Sequence, residues 1–255
     1  MERPLVRVER VGPTATITMD RPERRNALSL DHLGALLDAF RAAAASDATG
    51  VVLAGSGPVF SAGHDLGELR GLDVAGVRAV LDVCTELMTT IHTMSQVVVA
   101  RVHGLATAAG CQLVAACDLA VAGESAAFAL PGGKGGWFCT TPMVEVGRAV
   151  ARKRAMELAF TGDPIDARTA EAWGLVNRCV PDDELDAAVA ELLARATRGS
   201  RAARAAAKPT MYRQLDLPLD AAYQLAVEVM AESSGLADAQ EGMAAFVEKR
   251  PPVWE

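Results

Sequence analysis

Three short apolar runs do most to limit what this chain can become. They are Gly50-Val51-Val52-Leu53-Ala54, Val97-Val98-Val99-Ala100-Arg101-Val102 and Leu119-Ala120-Val121-Ala122. Each has strand length and is almost free of polar side chains, which suits a strand covered on both faces. Helical patterns separate them, at residues 74–94 and then 111–117. Such alternation builds a mainly parallel sheet with right-handed crossovers, so the expected fold class is α/β.

The flanks extend this reading. Leu5, Val6 and Val8 alternate with polar neighbours, as do Ala15, Ile17 and Met19, and Gly12-Pro13 between them predicts a hairpin. Ser29 is placed to cap a helix carrying Leu30, Leu33, Leu36, Leu37 and Phe40. From about Met143 the strand signal fades. Helical patterns then cover 143–160, 166–173, 182–197 and 218–249, and the Ala- and Arg-rich stretch 198–208 reads as a solvated helix face.

Composition excludes several classes of function. The 255 residues are 51% hydrophobic, enough for one large domain with a substantial core. A formal charge of −7 without a basic run argues against nucleic acid as a partner. Cys84, Cys111, Cys117, Cys139 and Cys179 form no Cys-x-x-Cys pair and read as reduced thiols. His32, His64, His92 and His103 lack metal-ligand spacing, so no metal is expected. Residues 1–10 show neither an apolar signal region nor a transit-like composition, and no run reaches membrane-spanning length. The expectation is a cytoplasmic protein with no membrane partner.

Two loops carry the chemistry. Phe60-Ser61-Ala62-Gly63-His64-Asp65-Leu66 follows the first apolar run, and His103-Gly104-Leu105-Ala106-Thr107-Ala108-Ala109-Gly110-Cys111-Gln112 follows the second. Small residues allow a backbone N–H to approach a ligand, and the second loop opens a helix whose first N–H groups lack partners. Either loop alone reads as a tight strand-to-helix turn. Together, in this order, they suggest an oxyanion hole with one N–H from each loop.

On these motifs the chain resembles the crotonase, or enoyl-CoA hydratase/isomerase, superfamily. The likeness also covers Asp20-Arg21-Pro22 with Asn26-Ala27-Leu28, Phe160-Thr161-Gly162, residues 170–176 and Gln240-Glu241-Gly242. More narrowly, the text around Gln112, Phe138-Cys139-Thr140-Thr141-Pro142 and Lys249-Arg250-Pro251-Pro252-Val253-Trp254 is similar to the subgroup called enoyl-CoA hydratase domain-containing protein three. The resemblance implies a crotonase (ClpP/crotonase-like) spiral of ββα units over residues 1–200 and a helical trimerisation region over 201–255. It implies oxyanion donors at the N–H groups of His64 and Ala109. It also implies CoA along Leu28, Ala62, His64, Asp65, Leu66, Gly67 and Ala109, no cofactor beyond the CoA of the substrate, and a homotrimer or homohexamer.

The family's hydratases use two glutamates, whose positions fall at Gln112 and Gly132 here. Neither residue exchanges a proton near neutral pH. The implied function is therefore an acyl-CoA thioester-binding enzyme of hydratase/isomerase type in fatty-acid metabolism, without both usual carboxylates. The alternative is a catalytically silent acyl-CoA-binding or scaffold protein. The His64 imidazole and Glu145 are candidate replacement acids or bases. Asp65 reads as a helix cap, His103 as a packed residue and Cys139 as pocket lining. Residues 132–136 read as a mobile pocket wall, with Trp137 and Phe138 lining it. Arg24, Arg25, Lys249 and Arg250 are candidates for the CoA phosphates or plain surface charges.

Overall fold

The computed structural model describes residues 3–254. Met1, Glu2 and Glu255 lie outside it, and with them the first two positions of the segment read for a leader and the last position of the C-terminal region.

The predicted hairpin is present as β1 (Val6–Val11) and β2 (Thr14–Met19), antiparallel, with Val6 opposite Met19. Helix α1 (Leu30–Ala44) follows, and the Ser29 hydroxyl accepts from the His32 N–H as its N-cap. The three apolar runs form β3 (Gly50–Gly55), β4 (Val97–Val102) and β6 (Leu119–Gly123). Between β3 and β4 lie α2 (Leu66–Leu69) and α3 (Val74–Thr93); between β4 and β6 lie β5 (Leu105–Thr107) and α4 (Ala109–Ala116). Then come β7 (Ala127–Ala129), α5 (Pro142–Ala149), α6 (Arg152–Thr161), β8 (Ile165–Asp166), α7 (Ala167–Trp173), β9 (Arg178–Val180) and α8 (Leu185–Ala196). The chain closes with α9 (Arg201–Gln214), α10 (Leu219–Ser233) and α11 (Ala237–Glu248).

Six strands make the main sheet, in the order β1-β2-β3-β4-β6-β9, parallel from β2 onward. A smaller sheet, β5-β7-β8, stands beside it. The chain contributes a strand to the large sheet, a strand to the small one and then a helix, as in β4-β5-α4 and β6-β7-α5. This is the ββα spiral expected from the resemblance. Ser61 is a rudiment of the same turn, pairing in parallel with Ala106. The continuous apolar character of β3, β4 and β6 has a plain cause: both faces are covered. Val51, Leu53, Val98, Ala100, Ala120 and Ala122 face the main core, whereas Val52, Val99 and Val121 pack against Leu185, Val189 and Leu193 of α8.

Some expectations need correction. Strands β8 and β9 occur after Met143, held by pairing to β7 and β6. The 143–160 pattern is two helices, and 218–249 is also two. Lys208 is not part of a solvated face: its ammonium donates to the Gln96 carbonyl at 2.7 Å and to Asp118 at 2.6 Å. A periodic pattern shows that a side chain can face water but not what another element brings to it.

Candidate active site

The first loop is built around one amide. Asn26 is fully buried with φ +51°. Its Nδ2 donates to the carbonyls of Ser56, Val59 and Phe60 at 2.9–3.0 Å, and its Oδ1 accepts from the Arg21 N–H at 3.0 Å. The Ser61 hydroxyl donates to the Asn26 carbonyl at 2.9 Å and accepts from the Gly63 N–H at 3.2 Å. Leu28 then pairs through its backbone, its N–H donating to Gly63 O at 2.8 Å and its carbonyl accepting from the Asp65 N–H at 3.1 Å.

The second loop is seated on the first. Thr107 N–H donates to Ser61 O at 3.0 Å, and Ala108 N–H donates to Ala129 O at 2.9 Å. A Cβ on Gly63 would stand 3.0 Å from the Ala109 nitrogen, so the two loops touch at that point. Ala108 has φ +52° and ψ −119°, a strained conformation for alanine that redirects the chain into α4. Two N–H groups result, those of His64 and Ala109, that donate to no group among the described residues. One lies beside the loop contact; the other opens a helix, where backbone partial charge is positive.

Beside them is a cavity of about 670 Å³ lined by Ala62, His64, Thr107, Ala108, Gly132 and Cys139, among others. Among the described residues, no Asp or Glu contributes to its lining. The His64 ring sits 6.4 Å from the Trp137 ring, and its Nε2 has no hydrogen-bond partner among the described residues. Burial pushes its pKa down to about 4, so the ring is neutral at physiological pH. Thr107 Oγ1 and Gln112 Oε1 are also buried without hydrogen-bond partners among the described residues. Burial raises the Cys139 thiol, which is therefore no ready thiolate.

His64 predicts a pH dependence. Below pH 6.5 the unfolded chain takes up a proton at this position, but the folded chain does not until about pH 4. Its contribution, about 3 kcal/mol, is complete above pH 6.5 and is lost as pH falls toward 4. Urea midpoints measured from pH 7 to pH 4 should fall across that window, and less so in His64→Gln. An equal fall in both proteins would remove His64 as the cause.

Other expected site residues are placed differently. Glu145, the candidate replacement acid, does not line this cavity. It faces a separate one of about 400 Å³, with its carboxylate 3.4 Å from His92 Nε2, and His92 stacks on Tyr212 at 4.0 Å. Pro142 lines the first cavity, and Glu145 lies one helical turn further along α5. Gly132 lines the cavity but has no room for a side chain: a Cβ there would meet Trp137 O at 2.3 Å and Cys139 Sγ at 2.7 Å. Leu28 is fully buried, and its N–H and carbonyl tie it to Gly63 and Asp65 of the first loop.

Asp65 caps α2 by accepting from the Gly67 N–H at 3.1 Å, and it pairs with Arg21 at 3.0 Å and Arg24 at 3.4 Å. Burial raises its carboxyl, but the two arginines outweigh that and hold it below the ordinary range. Leu66 is exposed at the cavity edge. His103 is half-buried, and its Nε2 donates to Gly57 O at 2.7 Å. Arg250 is committed to Glu241 and Glu248. The His92–Glu145 pairing had no signal in the sequence, because 53 positions separate residues that meet only when α5 packs on α4.

Comparison with known proteins shows the family and the fold. The family model described as enoyl-CoA hydratase/isomerase matches residues 10–255. Enoyl-CoA hydratase domain-containing protein 3, mitochondrial, from Rattus norvegicus is 45% identical over 240 residues, covering 93% of this chain and 80% of the relative. The Homo sapiens protein of the same name is 42% identical, covering 93% and 79%. Among solved structures, an enoyl-CoA hydratase from Mycobacterium smegmatis superposes with a TM-score of 0.95 at 42% identity, covering 99% of each chain. That of the human domain-containing protein 3 gives 0.94 at 40% identity, covering 99% of this chain and all of the other. The relatives from rat, mouse, Xenopus laevis and human are named mitochondrial, which overturns the cytoplasmic expectation. That expectation rested on the composition of ten residues, and a folded chain does not record its compartment.

Proposed function

Because the chain belongs to the enoyl-CoA hydratase/isomerase family, we propose that it binds an acyl-CoA thioester with the carbonyl oxygen between the N–H groups of His64 and Ala109. The observation that carries this reading is the pair of undonated N–H groups on two loops in direct contact. Such donors favour an enolate over the neutral thioester, and each is typically worth about 2.7–4 kcal/mol in the transition state. The chemistry this supports is proton exchange at the carbon next to the thioester. Hydration by two carboxylates is not supported, because none lines the cavity. The His64 imidazole is the neutral base that faces the ligand. No resident cofactor is called for; CoA arrives with the substrate, and Ala62, Leu66 and Gly67 with the exposed Arg24 and Arg25 flank its route.

A binding-only protein is the second reading, favoured by the same lack of carboxylates. The chain presents apolar side chains on its last helices, with Leu219, Met230, Phe246 and Val247 each at least 75% exposed. They fit a homotrimer or homohexamer. Two measurements test the proposal. Acetoacetyl-CoA should bind saturably below millimolar concentration, and a saturated acyl-CoA should exchange its α-protons with deuterated solvent faster than in buffer. Binding with no exchange selects the silent protein; no binding removes the thioester reading.

A further inference from the structure

Glu145 is a buried carboxylate that accepts no hydrogen bond from the described residues. Its side chain is only 10% exposed, and its nearest partner is His92 Nε2 at 3.4 Å. That nitrogen is itself buried without a hydrogen bond among the described residues. A carboxylate taken this far out of water ordinarily accepts from several donors. The chain has two cations close by and directs both elsewhere. Arg148 stands three residues along α5 from Glu145, a spacing at which helices pair opposite charges. Its guanidinium instead donates to the Val144 carbonyl at 2.9 Å and pairs with Asp216 at 3.2 Å. Lys208 is held by Asp118 and the Gln96 carbonyl.

The cavity of about 400 Å³ that Glu145 faces has the size of a small-molecule site. Its charged lining is three carboxylates, Glu145, Asp118 and Asp216, against the single guanidinium of Arg148. Val114, Leu175 and Leu215 add apolar wall. The cavity lies at the end of α4 opposite Ala109 and shares no lining residue with the cavity that contains His64. A metal ion does not suit it. Asp118 is already filled by the Val98 N–H at 2.7 Å, Lys208 Nζ at 2.6 Å and the Tyr212 hydroxyl at 2.9 Å. No group of three or more ligating side chains fits a metal among the described residues.

We infer that this cavity is a binding site for a small primary alkylammonium ion. The ammonium supplies the donors that Glu145 lacks. With its ring proton on Nδ1, His92 offers Nε2 as a second acceptor 3.4 Å from the carboxylate. The alkyl stem suits the apolar wall, and the acidic lining excludes anions. A quaternary ammonium has the charge but no N–H, so it leaves the carboxylate as it is. The site does not depend on the thioester reading and lies apart from it.

Calorimetric titration of the full chain with n-butylammonium, n-butanol and tetramethylammonium tests the inference. Butylammonium should bind saturably. The neutral alcohol and the quaternary ion should each bind at least about 10-fold more weakly, the scale of a hydrogen bond to a buried charge. Glu145→Gln keeps the shape of the side chain and should weaken butylammonium by about 10-fold or more. Glu157→Gln removes one exposed carboxylate outside the cavity and should change nothing. The ligand series on the native protein stands even if Glu145→Gln folds poorly, which its urea midpoint would reveal. Absence of saturable butylammonium binding overturns the inference and leaves Glu145 to protonated His92 or water. Equal binding of butanol or tetramethylammonium overturns it as well, and so does native affinity in a folded Glu145→Gln.

Discussion

The native protein is expected to hydrate crotonyl-CoA at least about 10⁴-fold more slowly than an ordinary enzyme turning over about ten times per second. General acid–base assistance contributes about a hundred- to ten-thousand-fold per group, and the two positions that the resemblance assigns to it hold Gln112 and Gly132. Gln112 is 4% exposed in the first turn of α4, with an unpartnered Oε1. Gln112→Glu places a carboxylate where the helix N-terminus stabilises charge. It should raise the rate by about a hundredfold at most, because a pair acting as a unit is not restored by one member. Gly132→Glu is not a usable second step: its Cβ would meet Trp137 O at 2.3 Å, a backbone atom that cannot swing aside. Loss of enoyl absorbance, followed for the native protein and Gln112→Glu, decides the matter. Native turnover near ten per second would mean that the proton-transfer groups have been misidentified.

The sequence was most readable where the deciding contact is local. Burial on both faces made β3, β4 and β6 continuous apolar runs, and the caps at Ser29 and Asp65 followed from side chains that accept from a backbone N–H two or three residues on. Strands of two or three residues, such as β5, β7, β8 and β9, exist because a partner pairs with them, and they leave no period to read. The oxyanion loops were legible as motifs, but their support was not. Asn26 spans 34 positions to reach the Phe60 carbonyl, and nothing local marks it as the hub of the first loop. Glu145 shows the opposite failure. Its place near a pocket segment was evident, yet α5 turns it toward His92 and away from His64. The face a helix presents depends on packing against α4, which a residue pattern does not encode.

Gly63→Ala should damage the site far more than its single added methyl suggests. Gly63 has φ +78°, a region that L-residues with a Cβ enter at a cost of about 1–3 kcal/mol. Its Cβ would also lie 2.8 Å from Thr107 O, 2.9 Å from Ala108 Cβ and 3.0 Å from Ala109 N. Two of these are backbone atoms, and the third belongs to a residue already held at positive φ. The two loops must part, and parting them separates the N–H groups of His64 and Ala109. Gly12→Ala is the matched control. It shares the positive φ, at +55°, but has nothing within 4 Å of its Cβ. Both variants should lose stability in urea, Gly12→Ala by about 1 kcal/mol and Gly63→Ala by about 3 kcal/mol. Only Gly63→Ala should also lose acetoacetyl-CoA affinity, by about a hundredfold, which is the scale of one misplaced oxyanion donor. Native affinity in a folded Gly63→Ala would show that the contact between the loops does not set the position of the N–H pair, and the oxyanion reading would lose its structural basis.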